Sequence, residues 1–220
     1  MMGKFTKLTA AAVPLPRENI DTDIILPAEV ISRLGTDMSR IGDGAFHDWR
    51  YDADGKPRPD FVLNRPCYAD AKILVAGSNF GCGSSREHAV WTLMGWGFRC
   101  VIARDFGDIF YNNCFKKGLL PVALDELAHS RVMQWAQDKS GTIPMTVDLE
   151  SCEVRLPRLD PIRFDIEPEY RAALLEGLDE VGQTLRYAAD IEIFQERDRC
   201  DRPWVYDVDF HRRADATKSN

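Results

Sequence analysis

The residues with the clearest chemical potential stand in one stretch, GSNFGCGSSREH, at 77–88. Gly77, Gly81 and Gly83 free the backbone for positive φ and for close approach to a bound group. Ser78, Ser84 and Ser85 add hydroxyls, and Arg86 adds a permanent charge. Hydroxyls beside one guanidinium suit a carboxylate, which Arg86 could hold through two parallel N–H···O bonds. A serine placed among helix-terminal N–H groups next to an arginine has its alkoxide stabilised and could act as a base. Equally, Ser84 or Ser85 could simply cap a helix whose first turn carries Glu87 and His88. Cys82 sits where a thiolate is favoured, near a helix N-terminus and Arg86, although a small residue that fits a turn accounts for it as well. No Asp or Glu spacing supports a triad through His88, and His47 and His129 read as surface or packing residues. Phosphate-loop chemistry is excluded by pattern: five residues on from Gly77 stands Cys82 with no lysine after it, and GxGxxG is absent.

A second candidate group is Asp21 and Asp23 in NIDTDIILP, residues 19–27. In an extended segment these carboxylates at i and i+2 point the same way, which could orient a base or bind a cation; a turn or cap role is the alternative.

Elements to position these groups can be read around them. KILVA (72–76) is a short apolar run that stops at Gly77, as a buried strand feeding the loop would, and REHAVWTLMGW places Ala89, Leu93 and Trp96 at helical spacing. CVIARDF (100–106) reads as a strand, GDIFYNNCFKKG (107–118) as a helix ended by Gly118, and LLPVAL (119–124) as another strand. This alternation predicts a mostly parallel α/β sheet flanked by helices. The spacing predicts an amphipathic helix over 125–141, with Leu127, Val132, Trp135 and Ala136 on its apolar face. TIPMTVDL, CEVRL and IRFDI suggest a β-rich section. A helix starting at Pro168 and a last helix over 179–197 complete the series. Residues 33–60 are dense in Gly, Asp and Pro and read as a long loop, a kind of segment that often carries function. One domain is expected over 1–197. A polar extension over 198–220 with one aromatic knot (Trp204, Tyr206, Phe210), partly docked and partly disordered, would come after it.

The chain has 220 residues, 45% hydrophobic and 29% charged, and 28 basic against 35 acidic side chains leave a net charge of −7. That length supports one full core, and the acidic balance without a basic patch argues against a nucleic-acid partner. The N-terminal stretch lacks a long apolar run and is interrupted by Pro14 and Pro16. Neither a signal peptide nor a membrane span is therefore expected, and the cytoplasm is the expected compartment. Six cysteines at least 14 residues apart, with no CxxC, predict that this chain alone holds neither a metal nor an iron–sulfur cluster.

Taken together, NIDTDIILP, HDWR (47–50), PDFVLN (59–64), NFGCGSSREHA (79–89), GFRCVIARDFGDIFYNNCFKKGLLPV (97–122) and GLDEVGQTL (177–185) closely resemble the 3-isopropylmalate dehydratase small-subunit family, which corresponds to the swivel domain of aconitase. The likeness runs from about residue 4 to about residue 197. It implies the swivel-type β/β/α fold and a two-chain hydro-lyase of leucine biosynthesis that interconverts 2- and 3-isopropylmalate. A large subunit would carry a [4Fe-4S] cluster, and the small subunit would close over the substrate. By that resemblance Ser84 is the base, Ser85 and Arg86 hold a substrate carboxylate, and Asp23 is an active-site aspartate. The chain departs from the family after the DTD motif: PAEVISRLGTDMSRIGDGAF replaces a shorter segment with PKxF and RTGFG. The arginine expected there, lining the substrate's variable group, is Arg40 or Arg33, with Arg40 favoured by the GDGA that comes next. A related dehydratase for 2-methylmalate/citraconate or a dimethylmalate, or a non-catalytic anion-binding module, would share many of these residues.

Overall fold

A computed structural model describes residues 2–34, 38–139 and 143–206, and divides the chain after Asp179 into two units. The first unit holds two four-stranded sheets. One is parallel, with β2 (Ala12–Leu15), β3 (Ile73–Ala76), β4 (Cys100–Ala103) and β5 (Leu120–Ala123) side by side in that order. The other is antiparallel, in the order β1 (Lys7–Ala10), β6 (Met145–Asp148), β7 (Glu153–Arg155), β8 (Ile162–Arg163).

Every residue of β2, β3 and β4 is buried, which is why these strands read as unbroken apolar runs. Successive side chains still alternate between two cores. Ile73, Val75, Cys100, Ile102, Leu120 and Val122 join Val132, Met133, Val147 and Val154 in one core, under the antiparallel sheet and α6 (Glu126–Lys139). Val13, Leu15, Leu74, Ala76, Val101 and Ala103 face the other way, onto Phe80, Phe98 and Phe110 and onto Ala89, Val90 and Leu93 of α4 (His88–Trp96). Burying each large aliphatic side chain contributes about 1.5–3 kcal/mol relative to leaving it in water. Pro14 and Pro121, which lack an N–H to donate, both fall on edge strands.

The expected parallel sheet with flanking helices is present, including α5 (Asp108–Lys117), which stops at Gly118, and α7 (Pro168–Glu176). The β-rich section forms a sheet of its own, into which β1 is recruited. Several local readings change. The segment 19–27 contains the one-turn helix α1 (Thr22–Ile25) with Asp21 as its cap, the alternative read for that residue. Residues 33–60 are largely structured: α2 (Ala28–Leu34) and a 3-10 turn over Met38–Gly44 precede α3 (His47–Arg50). The 3-10 turn docks backbone to backbone on α4, since a Cβ on Gly42 would lie 2.3 Å from the carbonyl carbon of Gly95. Arg50, buried over the Trp96 ring at 4.2 Å, donates to the Asp43 carbonyl at 3.1 Å and to Asn64 Oδ1 at 3.2 Å, tying the segment down. In α6, Val132 and Ala136 are buried as expected, but Leu127 is 75% exposed.

The second unit begins at Glu180, ahead of the expected boundary after residue 197. It carries α8 (Glu180–Leu185) and α9 (Ala188–Asp201), two helices where one was expected over 179–197. Helix α9 runs across 197/198 because Asp198 anchors the turn beyond its end: the Asp198 carboxylate accepts from Arg202 Nε at 2.6 Å and from the Tyr206 hydroxyl at 2.9 Å. Trp204 is 69% exposed rather than part of an aromatic knot, and Phe210 lies outside the described residues.

Candidate active site

The loops leaving the carboxyl ends of β2, β3 and β4 run on beside one another, which is where open parallel sheets place ligands. The central loop is stitched to both neighbours. Asn19 N–H donates to Ser78 O at 2.9 Å, Gly81 N–H to Ile20 O at 2.7 Å and Thr22 N–H to Cys82 O at 2.9 Å. On the other side Gly107 N–H donates to Phe80 O at 2.9 Å. Asp105 accepts from Ser78 Oγ and from Asn79 N–H, both at 2.6 Å. The glycines serve this stitching rather than close approach to a ligand. A Cβ on Gly77 would lie 2.4 Å from the Arg17 carbonyl oxygen. Gly81, at φ +74°, would place one 2.2 Å from Cγ of Phe110.

On this frame the three residues of the DTD motif, set on α1, have three separate tasks. Asp21 caps the helix, accepting from Ile24 N–H at 2.7 Å. Thr22, 2% exposed, places Oγ1 2.8 Å from Ser84 Oγ and accepts the Ser84 N–H at 3.1 Å. Asp23 accepts from Arg86 NH2, and Arg86 Nε–H donates to Ser84 Oγ at 2.8 Å. Residues 62 positions apart thereby form one group: a serine oxygen held by a hydroxyl and a guanidinium, and a guanidinium held by a carboxylate. The Asp21 and Asp23 side chains do not act as a pair.

Ser84 is not a helix cap. Helix α4 begins at His88 with Glu87 in the cap position and no side-chain cap bond, so the Ser84 hydroxyl is available to the site. Cys82 is no thiolate: burial, reinforced by the Asp21 charge, pushes its pKa up. His88 rests edge-on against Trp91 at 5.0 Å, and His129 is buried with Nε2 2.6 Å from the Ala76 carbonyl oxygen.

The aconitase C-terminal domain family model matches residues 2–127. The 3-isopropylmalate dehydratase small subunit of Sinorhizobium fredii is 48% identical over 204 residues, 93% of this chain and 100% of the relative. The chain belongs to the 3-isopropylmalate dehydratase small-subunit family. The same-named protein of Rhodospirillum centenum is 47% identical over 93% of this chain and 99% of its own length. The crystal structure of 3-isopropylmalate dehydratase (leuD) from Methanocaldococcus jannaschii has the same fold. It superposes with a TM-score of 0.59 at 24% identity, covering 87% of this chain and 99% of that one.

Within this 3-isopropylmalate dehydratase small-subunit chain, Asp23, Ser84 and Arg86 converge, and Ser85 is adjacent, its carbonyl accepting from Asn113 Nδ2 at 3.4 Å. Beside Asp23 opens a cleft of about 360 Å³ lined by Asp21, Asp23, Ile24, Pro27, Glu29 and Trp49, among others. Arg33 and Arg40 lie elsewhere, together lining a hollow of about 230 Å³ with Val30, Asp43 and His47. Arg33 can only donate, so His47 Nε2, 3.1 Å away, accepts, and His47 Nδ1–H donates to Asp48 at 3.0 Å. Arg40 Nε pairs with Asp43 at 3.3 Å on the surface. Among the described residues neither arginine is hydrogen-bonded to Asp23, Ser84 or Arg86. Thr22, bonded to Ser84, and Asp105, bonded to Ser78 and Asn79, are the residues of this hydrogen-bonded frame that sequence reasoning missed. The signal for Thr22 was its hydroxyl between two tasked aspartates; for Asp105 it was a carboxylate just past a strand end.

Proposed function

We propose that Asp23, Ser84, Ser85 and Arg86 form the proton-abstracting half of the active site of a two-chain hydro-lyase that interconverts 2- and 3-isopropylmalate. The observation that carries this reading is the Ser84 oxygen held at 2.8 Å from both Thr22 Oγ1 and Arg86 Nε, with Asp23 fixing the guanidinium. Ser84, as the alkoxide, takes the proton from the carbon next to a substrate carboxylate and becomes the hydroxyl. As the C–H bond breaks, negative charge builds on that carboxylate, and the outer N–H groups of Arg86 stabilise it where it develops. The inner Nε–H and one NH2 hydrogen are already committed, so the carboxylate is gripped end-on, with the Ser85 hydroxyl as a further donor. Arg33 and Arg40, which line a separate hollow, are assigned to the substrate's variable group by the family resemblance alone.

Departure of the substrate hydroxyl needs a Lewis acid, which a [4Fe-4S] cluster would supply. The cysteines here do not fit one. Cys100 and Cys114 are buried, and among the described residues no three His, Cys, Asp or Glu side chains group at ligand geometry. We infer that the cluster is carried by the large subunit, this chain's partner, and that the chain alone has no turnover. No described helix is long and apolar enough to cross a membrane. The compartment proposed for this enzyme of amino-acid biosynthesis is the cytoplasm. Relatives named for isopropylmalate favour that substrate over 2-methylmalate, citraconate or dimethylmalate, and over a non-catalytic module.

The test is turnover of 2-isopropylmalate, with 2-methylmalate and citraconate as competitors, by the chain reconstituted anaerobically with its cognate large subunit. Ser84→Ala is expected to lose about 10²–10⁴-fold in kcat. Arg33→Ala and Arg40→Ala should instead change the ratio between substrates. Wild-type turnover in Ser84→Ala would remove that serine from the reaction.

A further inference from the structure

The hydrogen bonds around Thr22 direct the hydroxyl proton of Ser84, the proposed base. Arg86 Nε is an obligatory donor, so one lone pair of Ser84 Oγ is taken at 2.8 Å. Thr22 Oγ1 already accepts the Ser84 N–H at 3.1 Å. Thr22 is 2% exposed, and among the described residues no acceptor other than Ser84 Oγ is placed for its hydroxyl proton. A buried hydroxyl proton without an acceptor is costly, so Thr22 donates and Ser84 receives. The reverse direction would have Thr22 accept twice from one residue and strand its own proton. With the Arg86 backbone N–H also reaching Ser84 Oγ at 3.5 Å, three donors face that oxygen, and its own proton is directed away from Thr22 and Arg86.

We propose that Thr22 is a positioning residue for the dehydration: its buried hydroxyl donates to Ser84 Oγ, fixes the serine rotamer and, with Arg86, stabilises the oxyanion that must take the substrate proton. This rests on the reading of Ser84 as base. Thr22 itself is walled off by the Cys82 carbonyl, which accepts its N–H at 2.9 Å, and by its place in the first turn of α1. It acts only through the serine.

The test compares Thr22→Val, which keeps the shape and deletes the hydroxyl, with Thr22→Ser, which keeps the hydroxyl and deletes the methyl, in the complex reconstituted with the large subunit. Thr22→Val should lower kcat by about 10- to 100-fold with KM little changed, the effect of one donor lost to a charged acceptor. The acidic limb of its pH–kcat profile should move to higher pH by about one to two units. Thr22→Ser should stay within about threefold of wild type in kcat. Independently of turnover, the Ser84 amide, followed by NMR hydrogen exchange in the full-length chain, should exchange faster in Thr22→Val and not in Thr22→Ser. Wild-type kcat and an unmoved profile in Thr22→Val overturn the proposal, as do equal losses in the two variants. Should Thr22→Val not fold, Thr22→Ser still decides through its kcat and pH limb, since loss of activity there with the hydroxyl in place refutes it. A Ser84→Ala control separates the failures. An active Ser84→Ala removes the base assignment and the proposal together, whereas an inactive one beside an unaffected Thr22→Val removes only the role of Thr22.

Discussion

Replacing Arg86 by lysine keeps the charge and tests whether the fork geometry matters. The guanidinium does three things at once: Nε–H donates to Ser84 Oγ at 2.8 Å, NH2 binds Asp23, and the outer edge is left for a substrate carboxylate. An ammonium at the end of a flexible stem can meet one of these groups at a time. Loss of the donor to Ser84 costs about 1.5–3 kcal/mol, the range for a bond to a charged group. Loss of the end-on grip on a carboxylate gaining charge costs about 3–4 kcal/mol more, as for an oxyanion-hole donor. Together these give about 4–7 kcal/mol, or roughly 10³–10⁵ in kcat/KM at about 1.4 kcal/mol per decade. Folding should hardly notice. The Arg86 and Asp23 side chains are 31% and 58% exposed, and pairs so open to water contribute about 0–1 kcal/mol. In a chain of this length that is a Tm change below about 4 °C. The assay is alkene absorbance in the reconstituted complex, beside a thermal melt of the variant chain. A kcat/KM within tenfold of wild type would refute the role given to the fork. A Tm drop above about 10 °C would show the residue to be structural.

Gly81→Ala forces a side chain at φ +74° and a Cβ 2.2 Å from the buried Phe110 ring, so a loss of about 2–5 kcal/mol is expected, read as a Tm lowered by about 5–15 °C. Adding Phe110→Ala should cost less in that background than in the wild type; strict additivity would exclude the clash. Cys67 and Cys200 are exposed and should alkylate promptly at neutral pH. Cys82, its pKa raised by burial and by Asp21, should lag behind them. Cys100 and Cys114, buried and raised well above the ordinary thiol range, should react only on unfolding, all followed by mass spectrometry. Burial alone would raise the pKa of Asp148, but the Lys7 ammonium at 3.1 Å, the Ser151 N–H and Arg155 outweigh it and hold the carboxyl below its usual range. Its contribution to stability is therefore complete above the ordinary carboxylate pKa and is lost as pH falls through the lower folded value. Denaturant midpoints of wild type and Asp148→Asn should differ at pH 7 and converge near about pH 2–3; a constant gap would contradict this.

Strands β3, β4 and β5 were legible because buried parallel strands read as continuous apolar runs bounded by Gly77, Arg104 and Gly118. The glycine–serine loop was legible for the same reason, since the strand before it and the helix after it both announce themselves. Helix α1 was not: four residues carry no period, and the Asp21 cap can be told from a turn only once Ile24 N–H is seen to reach it. Arg33 and Arg40 could be named but not placed, because the segment bearing them is positioned by the contact of Gly42 with Gly95, a tertiary fact with no local signature. Thr22 escaped for the opposite reason. Its neighbours are polar and its role depends wholly on Ser84, 62 residues later.

The stitching of the three site loops has a consequence for control of the reaction. Backbone bonds run from the 17–22 segment through 77–83 to 105–107, and Asp105 clamps the middle loop from the side. Segments bonded in this way open together or not at all, so no small local fluctuation can swing Ser84 out of line while the sheet stays intact. The serine and the arginine travel as one rigid tool. Under the role proposed for Ser84, turnover would be gated by bringing this half of the site to the other chain or withdrawing it, with its internal spacing unchanged.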